Sequence, residues 1–246
     1  MSSAPTVLRR HHPGVRVDVQ RPFSPPPGAS EVVLVRHGSC TQPPPGEEDW
    51  PLGEQNDPPL DERGRAQARA VCRRLEEESI AAVFVTTLQR TTQTAAPLIA
   101  ATSHEPQIIA DLREVMVGDW EHGELLHRAL AGDPEYHKMM AGQRWDAIPN
   151  AEPADQFGAR VRRGLEAAAD AVTAGAVAVV FTHSAVIAEL LRQITGSAPF
   201  AFLNVSNGSL TRVVRMPDAR WVLVSFNETA HLPLESQPRA PGRSPA

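Results

Sequence analysis

Arginine and histidine side chains follow three separate apolar runs of the chain. Arg36 and His37 come directly after the run 32–35, Arg90 comes shortly after "IAAVFVT", and His183 comes directly after "AVAVVFT". A guanidinium group can bind two phosphate oxygens at once, and an imidazole nitrogen can donate to an oxygen or attack phosphorus. These residue types therefore predict phosphoryl chemistry.

The elements around these residues explain why the side chains should meet. Short continuous apolar runs are typical of strands that are covered on both faces in a parallel sheet. The carboxyl ends of such strands and the N-termini of the helices that follow them point to one edge of the sheet, where anions bind. A single arginine or histidine would be weak evidence, but three groups at one edge predict a phosphate site.

The order of the elements predicts an α/β fold, a three-layer α/β/α sandwich around a mainly parallel sheet. Apolar periodicity indicates a helix after Asp61, which is a plausible N-cap, and the segment 111–123 is predicted to be a loop. Strands are predicted at 31–35, 80–86, 176–182, 209–216 and 220–226, and further helices near residue 88, over 124–140, from residue 153 and over 183–195.

The composition limits the class of protein. The net charge is −5, and the basic residues near the N-terminus leave the middle of the chain more acidic, so no nucleic-acid partner is expected. We expect no membrane association, because no apolar run has the length of a membrane span and no signal peptide is apparent. Two cysteines are too few for a disulfide framework, which favours a reducing compartment and a cytoplasmic protein.

Both ends of the chain are rich in proline and lack periodicity. We predict a flexible basic N-terminal extension over residues 1–30, one catalytic domain over 31–230 and a disordered C-terminal tail over 231–246. The proline-rich loop 41–59 contains the acidic stretch "GEEDW", which should discourage highly anionic substrates if it lies near the site.

Several other phosphoryl or hydrolytic chemistries do not fit the sequence. The only lysine, Lys138, lies in no nucleotide-binding P-loop, and no H-E-x-x-H motif or carboxylate cluster indicates a metal. Neither Cys40 nor Cys72 is followed six residues later by an arginine, as in thiol phosphatases, and no G-x-S-x-G motif occurs. Histidine remains as the natural nucleophile, and neither a metal nor another cofactor is expected.

The chain resembles the histidine phosphatase superfamily, in the branch with phosphoglycerate mutase-like phosphatases. The resemblance is carried, in this order, by "LVRHG", "DPPLDERGRAQA", "TTLQRTTQTA", "LREVMVGDWEHG", "FTHS" and "NVSNGSL". It implies that His37 becomes phosphorylated and that Glu114 donates a proton to the leaving group. It also implies that Arg36, Arg90 and His183 hold the phosphoryl oxygens.

Three positions depart from the usual pattern of this family. Cys40 stands where many relatives carry serine or threonine, and Pro43 stands where they carry asparagine. Ser184 stands where the family usually has glycine. Cys40 either lines the pocket and makes the enzyme sensitive to oxidation, or is a small buried residue. Ser184 either narrows the pocket or adds a hydroxyl contact, and we include it among the predicted phosphate ligands.

The proton donor is open on spacing alone. Glu121 lies in the same loop as Glu114, and only the resemblance favours Glu114.

The activity expected from this resemblance is hydrolysis of a small phosphorylated metabolite through phosphohistidine, by a metal-independent histidine acid phosphatase-like enzyme. A phosphoglycerate mutase is the alternative, but only 68 residues separate Glu114 from His183, a shorter segment than mutases have. A phospho-ligand binding module without catalysis is less favoured, because all five catalytic residues are present. Residues 115–150 are the predicted lid, and the protein is expected to be a monomer or a homodimer.

Overall fold

The computed structural model of the protein describes residues 22–41, 55–172 and 175–237. In these ranges six strands and six α-helices follow one another. The strands are β1 (Ser30–Arg36), β2 (Ile80–Val85), β3 (Gln107–Ile108), β4 (Val177–Thr182), β5 (Leu210–Arg215) and β6 (Trp221–Glu228). The helices are α1 (Glu62–Leu75), α2 (Gln89–Thr102), α3 (Glu124–Ala131), α4 (Pro134–Gly142), α5 (Ala154–Asp170) and α6 (Ser184–Thr195).

The strands described form one sheet in the order β3-β2-β4-β1-β5-β6. The first four strands in this order are parallel to one another, whereas β5 is antiparallel to both of its neighbours, β1 and β6. In the register of the sheet, Val33 of β1 lies between Val179 of β4 and Arg212 of β5. The predicted mainly parallel α/β architecture is confirmed.

The core lies on both faces of the sheet because β1 and β4 are apolar on both sides. Val32 and Leu34 of β1 pack on one face with apolar side chains of α5 and α6, whereas Val33 and Val35 pack on the other face with those of α1 and α2. All four of these β1 side chains are fully buried. The sheet is therefore the middle layer of three, and its strand ends cannot shift without disturbing both cores.

The predicted helix over 124–140 is two helices. Gly132 ends α3 in the left-handed conformation, with φ of +66°, which glycine adopts without a steric penalty. Asp133 then caps α4 by accepting from the backbone N–H groups of Glu135 and Tyr136, and Pro134 occupies the first turn. The Gly-Asp-Pro sequence therefore breaks the helical periodicity. The predicted loop 111–123 contains one 3₁₀ turn, Gly118–Trp120, and the end of another.

The boundary predicted at residue 231 was placed too early, because residues 231–237 pack against the domain. The ring Nε2 of His231 lies 3.0 Å from the carbonyl oxygen of Gly208, and the side chain of Leu232 is buried. Arg63 in α1 donates to the hydroxyl of Ser236. Residues 238–246 and 1–21, which belong to the two predicted tails, lie outside the described residues.

No helix within the described ranges is both long enough and apolar enough to cross a membrane.

Candidate active site

Three neighbouring strands of the sheet bring the predicted phosphate ligands together. Arg36 is the last residue of β1, and the backbone N–H of His37 donates to the carbonyl of Thr182 at the end of β4, at 2.9 Å. Arg90 lies in the first turn of α2, after β2, and His183 is the residue before α6. The order β2-β4-β1 makes these strand ends adjacent, so the prediction of a common edge is confirmed.

His37 is held as a neutral imidazole with one nitrogen engaged. Its Nδ1 lies 2.8 Å from the carbonyl oxygen of Gly38, which can only accept, so Nδ1 carries the proton and Nε2 keeps its lone pair. Burial lowers the pKa of His37 well below its ordinary value, and the guanidinium groups of Arg90 and Arg36 lower it further. The ring is therefore in the form that a nucleophile requires.

The loop after β1 is fixed by close contact with α1. A Cβ added to Gly64 would lie 2.0 Å from the carbonyl oxygen of Ser39, so only glycine allows the helix to approach the loop this closely. Gln67, one turn further along α1, accepts from the backbone N–H of Ser39 at 2.8 Å. The backbone N–H of Gly38 donates to Thr94 of α2 at 2.9 Å. The first two contacts explain the glycine and the glutamine of the "GRAQA" block.

His183 is fully buried and is engaged through one of its nitrogens. Its Nε2 lies 3.0 Å from the hydroxyl of Thr86, whose backbone N–H in turn donates to the hydroxyl of Thr91. Its Nδ1 is buried and has no partner within the described part of the chain. The rings of His183 and His37 have their centroids 5.2 Å apart. Burial lowers the pKa of His183 well below its ordinary value, and Arg90 contributes.

The two guanidinium groups are only partly occupied by protein acceptors. Arg36 donates through Nη1 to the carbonyl of Val205, and its buried Nε has no partner among the described residues. Arg90 donates through Nη1 to the carbonyl of Asn56 at 2.8 Å and to the carboxylate of Asp57 at 3.2 Å. In the ranges that the structure describes, the remaining N–H groups of both arginines have no protein acceptor. An anion at this edge would therefore find free donors.

Glu114 is brought to the same edge by the segment between β3 and α3. Its Oε2 makes long contacts with the hydroxyl of Ser184, at 3.5 Å, and with the backbone N–H of Ala185, at 3.4 Å. Its Oε1 accepts from the backbone N–H of Val115 at 3.0 Å. Burial raises the pKa of Glu114, although these N–H groups and Arg90 oppose the shift. A raised pKa favours the protonated form that a general acid needs.

Glu121 has a different role in the loop. One carboxylate oxygen accepts from the backbone N–H of Val117 at 2.9 Å, and the other accepts from the backbone N–H of Asn56 at 3.2 Å. Both oxygens are therefore used to hold backbone segments together. Glu114 lies beside Ser184 and Ala185, next to His183, and its role as the proton donor stays a prediction.

A comparison with protein families decides the identity of the domain. The family model described as "Histidine phosphatase superfamily (branch 1)" matches residues 32–229. The chain belongs to this superfamily. The predicted resemblance is confirmed, and the chain is a phosphoglycerate mutase-like member of branch 1.

Individual relatives agree with this membership. A Yersinia enterocolitica protein named "Probable phosphoglycerate mutase GpmB" is 28% identical over 214 residues, which cover 82% of this chain and 94% of that protein. Among solved structures, phosphoglycerate mutase from Bacillus anthracis superposes with a TM-score of 0.67 at 19% identity, covering 83% of this chain and 96% of the other. A mycobacterial glucosyl-3-phosphoglycerate phosphatase with inorganic phosphate gives 0.65 at 22% identity, covering 83% and 100%. At these identities the structures show the fold.

Some residues at this histidine phosphatase site were not identified from the sequence. Thr86 orients His183, and Asn207 donates to the carbonyl of His37 at 2.9 Å. Asp57 accepts from Arg90 and also from the backbone N–H of Gln89. The blocks "TTLQR" and "NVSNGSL" contained Thr86 and Asn207, but a polar residue in a loop gives no local sign of its partner.

The departures from the family pattern have different outcomes. The thiol of Cys40 lies 3.6 Å from Nδ1 of His37, so it does line the site. The hydroxyl of Ser184 lies beside Glu114, and its contact with a phosphoryl group stays a prediction. Pro43 and the acidic stretch "GEEDW" lie outside the described residues.

Proposed function

We propose that this histidine phosphatase superfamily enzyme is a phosphomonoester hydrolase, that His37 carries the phosphoryl group transiently, and that its substrate is a small phosphorylated metabolite. The observation that carries the proposal is a neutral His37 with a free Nε2, next to His183 and to two arginines with unused N–H groups. This arrangement fits the trigonal phosphoryl group of a transition state, whose charge fixed guanidinium groups stabilise.

The first step would be attack by Nε2 of His37 on phosphorus. The N–P bond forms as the bond between phosphorus and the ester oxygen breaks, and the electron pair of that bond goes to the leaving oxygen. Glu114 gives this oxygen its proton, which matters most for a strongly basic alkoxide. Arg36, Arg90 and His183 bind the phosphoryl oxygens during the transfer.

The second step would be hydrolysis of phosphohistidine. The carboxylate of Glu114 takes a proton from a water molecule as its oxygen attacks phosphorus, and the N–P bond breaks. Inorganic phosphate leaves, His37 is neutral again, and Glu114 is again protonated, so the enzyme needs no other reactant.

The proposed substrate class rests on the chemistry of the site and on the named neighbours. Two of the similar structures are described as a glucosyl-3-phosphoglycerate phosphatase and an alpha-ribazole phosphatase, both acting on small phosphorylated molecules. The leaving group would lie toward Glu114 and the predicted lid, residues 115–150. Asp57 forms an ion pair with Arg90 and so adds negative charge near the phosphate site. This charge disfavours substrates with many phosphates.

A mutase is the second candidate, since curated relatives carry the name phosphoglycerate mutase. A mutase would return the phosphoryl group of His37 to a second hydroxyl of the substrate, which must stay bound while water is excluded. The helices between Glu114 and His183 that precede α5 are short, with eight residues in α3 and nine in α4. Two short helices would cover the site only partly, which favours release of the alcohol and hydrolysis of phosphohistidine by water.

One assay series tests the proposal. Purified enzyme in the presence of a chelator is given nitrophenyl phosphate, glycerol phosphate, and 3-phosphoglycerate with and without 2,3-bisphosphoglycerate, and both phosphate and isomer are measured. We expect phosphate release without a metal, together with acid-labile phosphohistidine. Formation of 2-phosphoglycerate faster than phosphate would favour the mutase. Loss of activity on chelation with recovery on adding a divalent ion would contradict the metal-independent mechanism.

A further inference from the structure

Arg160 of α5 holds the backbone of the segment that carries Glu114. Its Nη1 donates to the carbonyl oxygens of Asp111, at 2.8 Å, and Arg113, at 2.6 Å, and its Nη2 donates to that of Glu114 at 3.0 Å. The two remaining donations go to the carboxylate of Glu152, at 2.5 and 2.7 Å. These are five hydrogen bonds, as many as a guanidinium group has N–H donors.

Glu152 holds the backbone on the other side of Glu114, and we call the pair of Arg160 and Glu152 the clamp. Besides pairing with Arg160, it accepts from the backbone N–H of Met116 at 3.4 Å, and its own backbone N–H donates to the carbonyl of Met116 at 2.9 Å. The side chains of Glu152 and Arg160 are only 14% and 12% exposed. Arg160 and Glu152 therefore hold the backbone of the segment 111–116. Because both side chains are mostly buried, solvent screens the ion pair between them only weakly.

We propose that Arg160, held by Glu152, is a positioning residue that sets where the carboxyl group of Glu114 meets the leaving oxygen. The inference deepens the proposed function and rests on it. Arg160 donates to the backbone carbonyl of Glu114 and, among the described residues, makes no hydrogen bond with its carboxyl group. The acid then lies against the first turn of α6, beside Ser184 and Ala185, which places it next to His183.

This role differs from general support of the fold in what it should affect. The phosphoryl ligands lie on β1, α2 and the start of α6, and Arg160 donates to none of their side chains in the described part of the chain. Loosening the clamp should therefore leave phosphate binding intact and displace the acid. A displacement of a catalytic group by about 1 Å can cost roughly 10²-fold in rate. The cost should appear only with substrates whose leaving oxygen needs a proton.

The test compares Arg160→Met with Arg163→Met. Arg163 lies one turn along α5 and pairs with the carboxylate of Asp111 at 3.1 Å, but it is exposed and, among the described residues, donates no hydrogen bond to the backbone of Glu114. Phosphorylation of His37 is measured by rapid mixing with glycerol phosphate and with nitrophenyl phosphate, in the parent and in the Glu114→Gln background. Since Arg160→Met leaves Glu152 without its partner, Arg160→Met with Glu152→Met removes both charges if the single variant fails to fold.

We expect Arg160→Met to slow the reaction of glycerol phosphate roughly 10²-fold more than that of nitrophenyl phosphate, with KM little changed. This selectivity should vanish in the Glu114→Gln background and be partly restored by Arg160→Lys, while Arg163→Met should show none. Equal losses on both substrates in Arg160→Met would overturn the positioning role and leave the proposed function standing. If Glu114→Gln itself shows no selectivity, the acid assignment fails, and the positioning role fails with it.

Discussion

The phosphoryl end of the candidate site lies on regular secondary structure, whereas the Glu114 end lies on an irregular segment. Arg36, Arg90 and His183 are each found at a strand end or a helix start. Glu114 lies between two 3₁₀ turns, and its carbonyl is held by side chains of Arg160 and Gln55. The first end is thus fixed by sheet and helix hydrogen bonds, and the second by a few long-range contacts of side chains.

This difference corresponds to the two parts of the proposed substrate. Every phosphomonoester presents the same phosphoryl group, but the leaving alcohol varies. The rigid strand ends would bind the constant part, and the irregular segment would face the variable part. Changes in the segment could then alter the choice of leaving group without disturbing the sheet, which is the pattern expected when one fold serves many substrates.

The largest effect is expected at the phosphoryl end. His37→Ala should lower turnover by roughly 10⁴-fold or more with every substrate, because no covalent intermediate can form. The melting temperature should change little, and no phosphohistidine should be trapped. His127→Ala, at an exposed histidine of α3, is the matched control and should be fully active. Substantial activity in His37→Ala would show that another group is the nucleophile.

At the acid end, the effect should depend on the leaving group. Glu114→Gln should slow the phosphorylation of His37 by glycerol phosphate, followed by rapid mixing, by roughly 10²- to 10⁴-fold. It should hardly affect the same step with nitrophenyl phosphate, whose phenolate leaves without a proton. Glu121→Gln provides the contrast, since both oxygens of Glu121 bind backbone N–H groups, and it should lower stability without selectivity. If Glu121→Gln slowed glycerol phosphate more than nitrophenyl phosphate and Glu114→Gln did not, Glu121 would be the proton donor and Glu114 a structural residue.

The same contrast explains what could be predicted from the sequence. The strand ends were predicted because apolar runs such as 32–35 mark buried strands, and the residues that follow them are at the sheet edge. The two-residue strand β3 was missed because it is too short to show a period. The break between α3 and α4 was also missed, although glycine, aspartate and proline at 132–134 are its local signal.

The contacts at the acid end could not be predicted from local patterns. Arg160 follows Glu114 by 46 residues, and Gln55 precedes it by 59, yet both donate to its carbonyl. In the sequence, Arg160 looks like any charged residue on a helix. The choice between Glu114 and Glu121 likewise depends on which carboxylate lies beside Ser184 and Ala185 at the start of α6, and only the folded chain shows this.

The pH dependence should distinguish the two ends. Burial lowers the pKa of His37, so the neutral nucleophile should persist as the pH falls through about 6.5, the ordinary histidine value. Burial raises the pKa of Glu114, so the acid form should persist above about 4.3 and be lost as the pH rises through its raised pKa. The kcat for glycerol phosphate should therefore fall on the alkaline side. The same alkaline limb in Glu114→Gln would contradict this origin.

The smallest effect is expected at Cys40, whose thiol lies beside His37 at the phosphoryl end of the site but does not hold the ring in place. Its thiol lies 3.6 Å from Nδ1 of His37 and 3.5 Å from the carbonyl of Gly38, both too long for strong interactions. The bond at 2.8 Å between Nδ1 and the Gly38 carbonyl already orients the ring. Cys40→Ser should therefore change kcat/KM by no more than about threefold, the size of a weak hydrogen bond gained or lost.

The thiol of Cys40 should also react slowly, in contrast to the oxidation-sensitive cysteine that the sequence left open. Burial raises its pKa to about 11, and the nearby Asp61 adds to this, although Arg90 opposes it. Since the thiolate is the reactive form, iodoacetamide should inactivate the parent slowly at pH 7 and faster as the pH rises toward that value, with Cys40→Ser resistant throughout. Rapid inactivation of the parent at neutral pH, absent in Cys40→Ser, would mean that Arg90 and Arg36 stabilise the thiolate more than burial disfavours it.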